Sequence, residues 1–186
     1  MVGRLIFLYL QKKNRKGILE IGKNSYIRGL AKCLDKKYMI IGSNSHILDG
    51  ARIQNVSQNE SVRIRIGNHT GAQYNFTVLA GANVTIGNGV AIASDVFISA
   101  GSHGMNPEIR LPYGEQAYLG EDVLIKDGAW IGEKACILSG VTIGYKSIVG
   151  SGSVVTKDVP DYSIAVGNPA RVIKTFNFKT HKWESV

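Results

Sequence analysis

From Leu119 onward an aliphatic side chain returns every six residues, at Leu119, Ile125, Ile131, Ile137, Ile143, Val149 and Val155, and glycine follows it at Gly120, Gly132, Gly144 and Gly150. Four residues after each aliphatic stands a small or β-branched residue: Val123, Ala129, Ala135, Val141, Ser147, Ser153 and Val159. Both positions are predicted to face inward. A period of six fits neither the helical turn of roughly 3.6 residues nor a lone alternating strand; it suits short strands joined by tight corners, three to a coil. A coil then takes about 18 residues, and coils stack roughly 4.8 Å apart like neighbouring strands. The glycines and polar pairs between apolar positions belong at the corners, where positive φ is needed. Upstream the pattern recurs at Ile86, Ile92 and Ile98 with Val84, Val90 and Val96 as partners. It loosens at Ile66-Gly67, Ile41-Gly42, Ile47 and Ile53, and its earliest trace runs from Ile21 to Ile27. The expected architecture is an all-β parallel β-helix over residues 18–160, with breaks near 28–40, 54–63 and 72–80.

The residue before each inward aliphatic points outward, and in the second half these positions hold Leu124, Trp130, Cys136, Ile148 and Val154. Stacking places Trp130 over Ile148 and Cys136 over Val154, so those faces are expected to pack on other copies of the chain. Between Ile98 and Leu119 the six-residue rhythm fails, and a loop over about 102–118 must leave the coil and return. Loops of this length in compact folds are usually functional. His103 sits at the loop's root, tethered to the rigid coil, where an imidazole can serve as general base.

Composition narrows the chemistry. The chain has 186 residues, a formal charge of +8 and two cysteines. Cys33 and Cys136 are too few for a disulfide framework, which points to a reducing cytoplasm. The charge favours an anionic partner, but no DNA- or RNA-reading motif appears and no nucleic acid is expected. Leu5 to Leu10 form an apolar run followed by Lys12, Lys13, Arg15 and Lys16. That run is shorter than the stretch of about 20 residues that spans a bilayer. Residues 1–17 are expected to cap the open end of the solenoid or to approach a lipid-linked glycan at the inner face of the membrane. Residues 161–186 form a C-terminal extension.

The most specific stretch runs from Ile143-Gly144-Tyr145 through Val154-Val155-Thr156-Lys157-Asp158-Val159-Pro160 to Val166-Gly167-Asn168-Pro169-Ala170-Arg171-Val172-Ile173-Lys174. A second block runs from Ala72-Gln73-Tyr74-Asn75-Phe76-Thr77 through Val84-Thr85-Ile86-Gly87 to His103. Over about residues 60–175 the chain resembles the hexapeptide-repeat acyltransferases, in the branch of sugar and xenobiotic O-acetyltransferases that includes galactoside, maltose and nodulation-factor enzymes. The resemblance implies a left-handed β-helix and a homotrimer with active sites between subunits. It also implies acetyl-CoA as acyl donor, no metal, and His103 as general base. It places coenzyme A contacts at Glu133, Ser151, Thr156, Lys157, Arg171 and Lys174, whose cations suit phosphates. It makes Gln73, Tyr74 and Asn75 groove residues that meet the acceptor. Trp130 matches a tryptophan near the histidine in many polysaccharide O-acetyltransferases, although interface packing explains it equally well. Galactoside enzymes carry an acidic pair where Ala80 and Gly81 stand, which argues against a simple galactoside acceptor.

The expected reaction is direct attack of an acceptor hydroxyl on the thioester, with backbone N–H groups holding the oxyanion. Cys136 has no histidine at a recognisable spacing, so an acyl-enzyme is not expected. A saccharide in surface-polysaccharide biosynthesis is the first-choice acceptor. Amino-sugar N-acylation and antibiotic O-acetylation stand as alternatives. A gamma-type carbonic anhydrase would share the fold, but His46, His69, His103 and His181 lack the closely spaced pair it needs to bind zinc.

Overall fold

The structure is a computed structural model that describes Tyr9 and residues 15–28, 33–57 and 59–186. Most of the expected cap, residues 1–17, lies outside the described residues.

Three parallel sheets form the faces of a triangular prism. The first face stacks Glu20–Ile21, Met39–Ile41, Ile64–Ile66, Val84–Ile86, Val123–Ile125 and Thr142–Ile143. The second stacks Tyr26–Ile27, His46–Ile47, Gly71–Ala72, Ala91–Ile92, Trp130–Ile131, Ile148–Val149 and Ser163–Gly167. The third stacks Cys33–Leu34, Arg52–Asn55, Thr77–Ala80, Phe97–Ser99, Cys136–Ile137 and Val154–Val155. Chain order visits the faces in that sequence, so each residue sits one coil above its counterpart. The core is the six-residue pattern itself: Ile125, Ile131, Ile137, Ile143, Val123, Ala129, Ala135 and Val141 are all at most 2% exposed. The expected outward stacks form as well, Trp130 beside Ile148 and Cys136 beside Val154.

The corners explain the polar residues within the pattern. Asn68 donates its N–H to Asn88 Oδ1 at 2.8 Å, and Asn88 donates its N–H to Asp127 Oδ1 at 2.8 Å. This ladder pairs backbone groups that the turn leaves open. Inward hydroxyls are satisfied in the same way, Ser45 Oγ donating to Gly67 O and Thr70 Oγ1 to Gly87 O, each at 2.7 Å.

Two expectations are corrected. Leu119 keeps the six-residue spacing but is 63% exposed, because Tyr118–Leu119 pairs antiparallel with Ser102–His103 in the ejected loop. The coil resumes at Val123, which sits beside Val84. Residues 72–80 are no break: Ala72 and Val78 are inward and buried, and alanine in place of a larger aliphatic hid the repeat. Of the expected interruptions, that near 28–40 holds the third-face strand Cys33–Leu34 and a short 3-10 turn at Lys36–Tyr38, and that near 54–63 separates Arg52–Asn55 from Ile64–Ile66. Beyond Pro160 the second face gains Ser163–Gly167, parallel to Ile148–Val149. Ala170–Asn177 and Lys182–Ser185 then extend that sheet antiparallel.

Candidate active site

His103 stands at the edge between the third and first faces. Ser102–His103 leaves the coil just after Phe97–Ser99 and pairs with Tyr118–Leu119 before the chain re-enters the first face. The imidazole is exposed and meets the Tyr118 ring edge-on, with centroids 5.2 Å apart at 74°. The loop beyond it is built around Gln116, which is 5% exposed. Its Oε1 accepts from Asn106 N–H at 3.1 Å, and its Nε2 donates to Asn106 O at 3.0 Å and Leu111 O at 3.3 Å. A cleft of about 500 Å³ lies beside the root, lined by Ser102, Met105, Leu119, Gly120, Glu121 and Ser139.

A second concavity lies on the second face. Its outward column reads Tyr26, His46, Gly71, Ala91, Trp130, Ile148. Gly71 and Ala91 contribute almost no side chain, so a notch of about 390 Å³ opens between His46 and Trp130. His46 stacks on Tyr26 with centroids 5.7 Å apart. His69 and Gln73 rim the notch, and Trp130, 55% exposed, forms one wall. Asn44 Nδ2 lies 3.5 Å from His69 Nε2. Among the described residues no carboxylate lines the notch. Tyr74 and Asn75 form the adjoining corner; Asn75 adopts φ of 57° and donates through Nδ2 to Asp95 Oδ1 at 3.0 Å, so its amide is engaged in the turn.

In a triangular prism the edge between the third and first faces lies opposite the second face. One chain therefore brings Gln73 and Trp130 together in the notch and keeps His103 on the other side.

No family model matches the chain. The galactoside O-acetyltransferase of Escherichia coli is 40% identical over 138 residues, covering 66% of this chain and 62% of that protein. A provisionally named lipopolysaccharide biosynthesis O-acetyl transferase of the same species is 36% identical over 120 residues, 55% of each chain. Among solved structures, a variant of the N-acyltransferase AntD from Bacillus cereus, in complex with dTDP-4-amino-4,6-dideoxyglucose and coenzyme A, superposes with a TM-score of 0.75. It is 26% identical, over 91% of this chain and 90% of that one. The chain is similar to hexapeptide-repeat acyltransferases and shares their left-handed β-helix fold. It spans 62% and 55% of the lengths of the two curated relatives.

The residues expected to contact coenzyme A divide between two edges. Glu133 and Ser151 are exposed and stack at the corner between the second and third faces, where Gly152 N–H donates to Glu133 O at 2.7 Å. Arg171 joins them from the strand beside Val166, and Lys174 lies farther along it beside Ile164. Thr156 and Lys157 are exposed on the edge that carries His103, above Ser139. Sequence reading missed His46, His69, Gly71 and Ala91 in the notch, and Tyr118 beside His103. The small residues at outward positions of the second face, Gly71 and Ala91, were the available signal.

Proposed function

We propose that the chain transfers the acetyl group of acetyl-CoA to a saccharide hydroxyl, with His103 as general base and the second-face notch as acceptor site. The observation that carries this reading is His103 fixed at the root of the ejected loop, on a coil whose relatives include named sugar O-acetyltransferases. The opposition of edge and notch supports a homotrimer in which His103 of one subunit reaches the notch of the next. Outward Trp130 and Ile148 support the same contact.

An imidazole nitrogen of His103 takes the acceptor hydroxyl proton as the oxygen attacks the thioester carbonyl carbon. The C–O bond forms, the tetrahedral oxyanion is held by backbone N–H groups of the coil, and the C–S bond then breaks. The leaving thiolate takes the proton from the imidazolium, which restores His103 and releases coenzyme A. Trp130 offers its indole face to a sugar ring and its Nε1–H to the acceptor, while Gln73 and Tyr74 border the ring. Glu133, Ser151, Thr156, Lys157, Arg171 and Lys174 flank the donor, the cations toward its phosphates. Burial pushes the half-buried Cys136 thiol pKa up, which keeps the thiol protonated and unsuited to carry the acetyl group.

A role in surface-polysaccharide biosynthesis is part of the proposal, supported by the lipopolysaccharide relative. A cytoplasmic position at the inner membrane face rests on the basic apolar segment 1–17. Among the described residues no helix is long and apolar enough to cross a membrane. A second reading, transfer to the amine of an amino sugar, is favoured by the AntD likeness. The test is release of free coenzyme A thiol from acetyl-CoA with methyl hexopyranosides and with amino sugars as acceptors. The reading predicts turnover with the former that falls by about 10²-fold or more in His103→Ala. Preference for the amines would select the second reading, and undiminished turnover in the variant would remove His103 from the chemistry.

A further inference from the structure

Tyr118 lies in a slot that the coil leaves for it. A Cβ on Gly81 would overlap the Tyr118 ring, and a Cβ on Gly101 would fall 2.6 Å from Tyr118 Cε1. Gly101 also has φ of 149°, a conformation that side chains disfavour. Gly120 completes the root, since a Cβ there would stand 2.7 Å from the backbone carbon of Gly81. Glycines from three segments on one edge thus let the returning strand press its aromatic ring against the coil.

The ring sits directly opposite His103. Gly104 N–H donates to Ala117 O at 2.9 Å, which makes His103 and Tyr118 a non-hydrogen-bonded pair in the two-strand ladder. Side chains approach most closely in such pairs. Tyr118 is partly buried and held from below by the glycines, whereas His103 is exposed. Among the described residues its ring contact is with Tyr118, edge-on at 5.2 Å.

We propose that Tyr118 is a positioning residue for His103: the glycine slot fixes the tyrosine ring, and the ring fixes the imidazole in the orientation that transfers the proton. A side chain on Gly81 would close the slot and also crowd Ala100 O, which would lie 2.7 Å from its Cβ. This inference rests on the reading of His103 as general base. The aromatic ring does the work, so phenylalanine substitutes for it and an aliphatic side chain of similar bulk does not.

The test compares Tyr118→Leu, Tyr118→Phe, Gly81→Ala and His103→Ala in the full chain. The first readout is the proton NMR signal of the His103 ring, which the ring current of the neighbouring aromatic displaces. That shift is expected to persist in Tyr118→Phe and to vanish in Tyr118→Leu and Gly81→Ala. The second readout is acetyl-CoA turnover with methyl β-galactopyranoside and glucosamine as acceptor probes. Tyr118→Leu is expected to lose about 10-fold or more in kcat, with an unchanged KM for acetyl-CoA, and Tyr118→Phe to keep the wild-type rate. An unaltered His103 signal in Tyr118→Leu would overturn the proposal, and so would wild-type kcat in that variant alongside an inactive His103→Ala. If His103→Ala itself retains turnover, the base reading fails, and the ring shift still reports whether Tyr118 orients the imidazole.

Discussion

At Asp127 the corner ladder of asparagines ends on a charge. Hydrogen bonds from the Asn88 side chain and backbone hold its carboxyl below the usual carboxylate range. A folded-state pKa that is depressed contributes stability above the unfolded pKa, and that contribution is lost as pH falls through the folded one. Urea melts from pH 7 down to pH 3 should therefore show wild type losing its advantage over Asp127→Ala in the acid range. An advantage independent of pH would contradict the assignment. Trp130 and Ile131 are neighbours with opposite fates, one outward on the notch and one fully buried. Ile131→Ala is expected to cost about 2–5 kcal/mol of stability by emptying the core, while Trp130→Ala leaves the core intact and is expected to weaken acceptor binding at the proposed notch. At this scale the sequence was readable wherever spacing decides inside from outside, as with these two. It was silent on Tyr118, whose partner glycines are distant in the chain and meet only when coils stack.

The ejected loop is the element that carries the proposed base, and Gln116 is its internal staple. Gln116→Ala removes three hydrogen bonds within the loop and leaves the coil untouched. The expected cost is about 1–3 kcal/mol, confined to the loop. Hydrogen exchange should quicken at Asn106 and its neighbours with protection retained along the second face; equal loss everywhere would show that loop and coil unfold as one unit. The period located this loop and its histidine but misjudged the return, because Leu119 lies one repeat before Ile125 and satisfies the spacing while pointing to solvent. Spacing reports register and does not report which strand a residue pairs with. Ala72 failed in the opposite way: the register holds there, but a methyl group is too small to announce itself as core.

Over the whole molecule the prism separates the parts of the proposed site. His103, Thr156 and Lys157 share one edge, while the notch with Gln73 and Trp130 occupies the opposite face, with Glu133, Ser151 and Arg171 along its border. Coil, faces and loop followed from the six-residue pattern; the notch did not, since it arises from absent side chains at Gly71 and Ala91. In the proposed trimer two copies complete each site, and a subunit-mixing experiment tests that arrangement. His103→Ala and Ala91→Phe, the latter filling the notch, are each expected to be inactive alone in the acetyl-CoA assay. Co-expressed in equal amounts, they should recover about one quarter of the wild-type rate, the statistical share of interfaces in a closed ring that pair an intact His103 with an intact notch. Mixed assemblies that form but stay as inactive as the parents would contradict a site shared between copies.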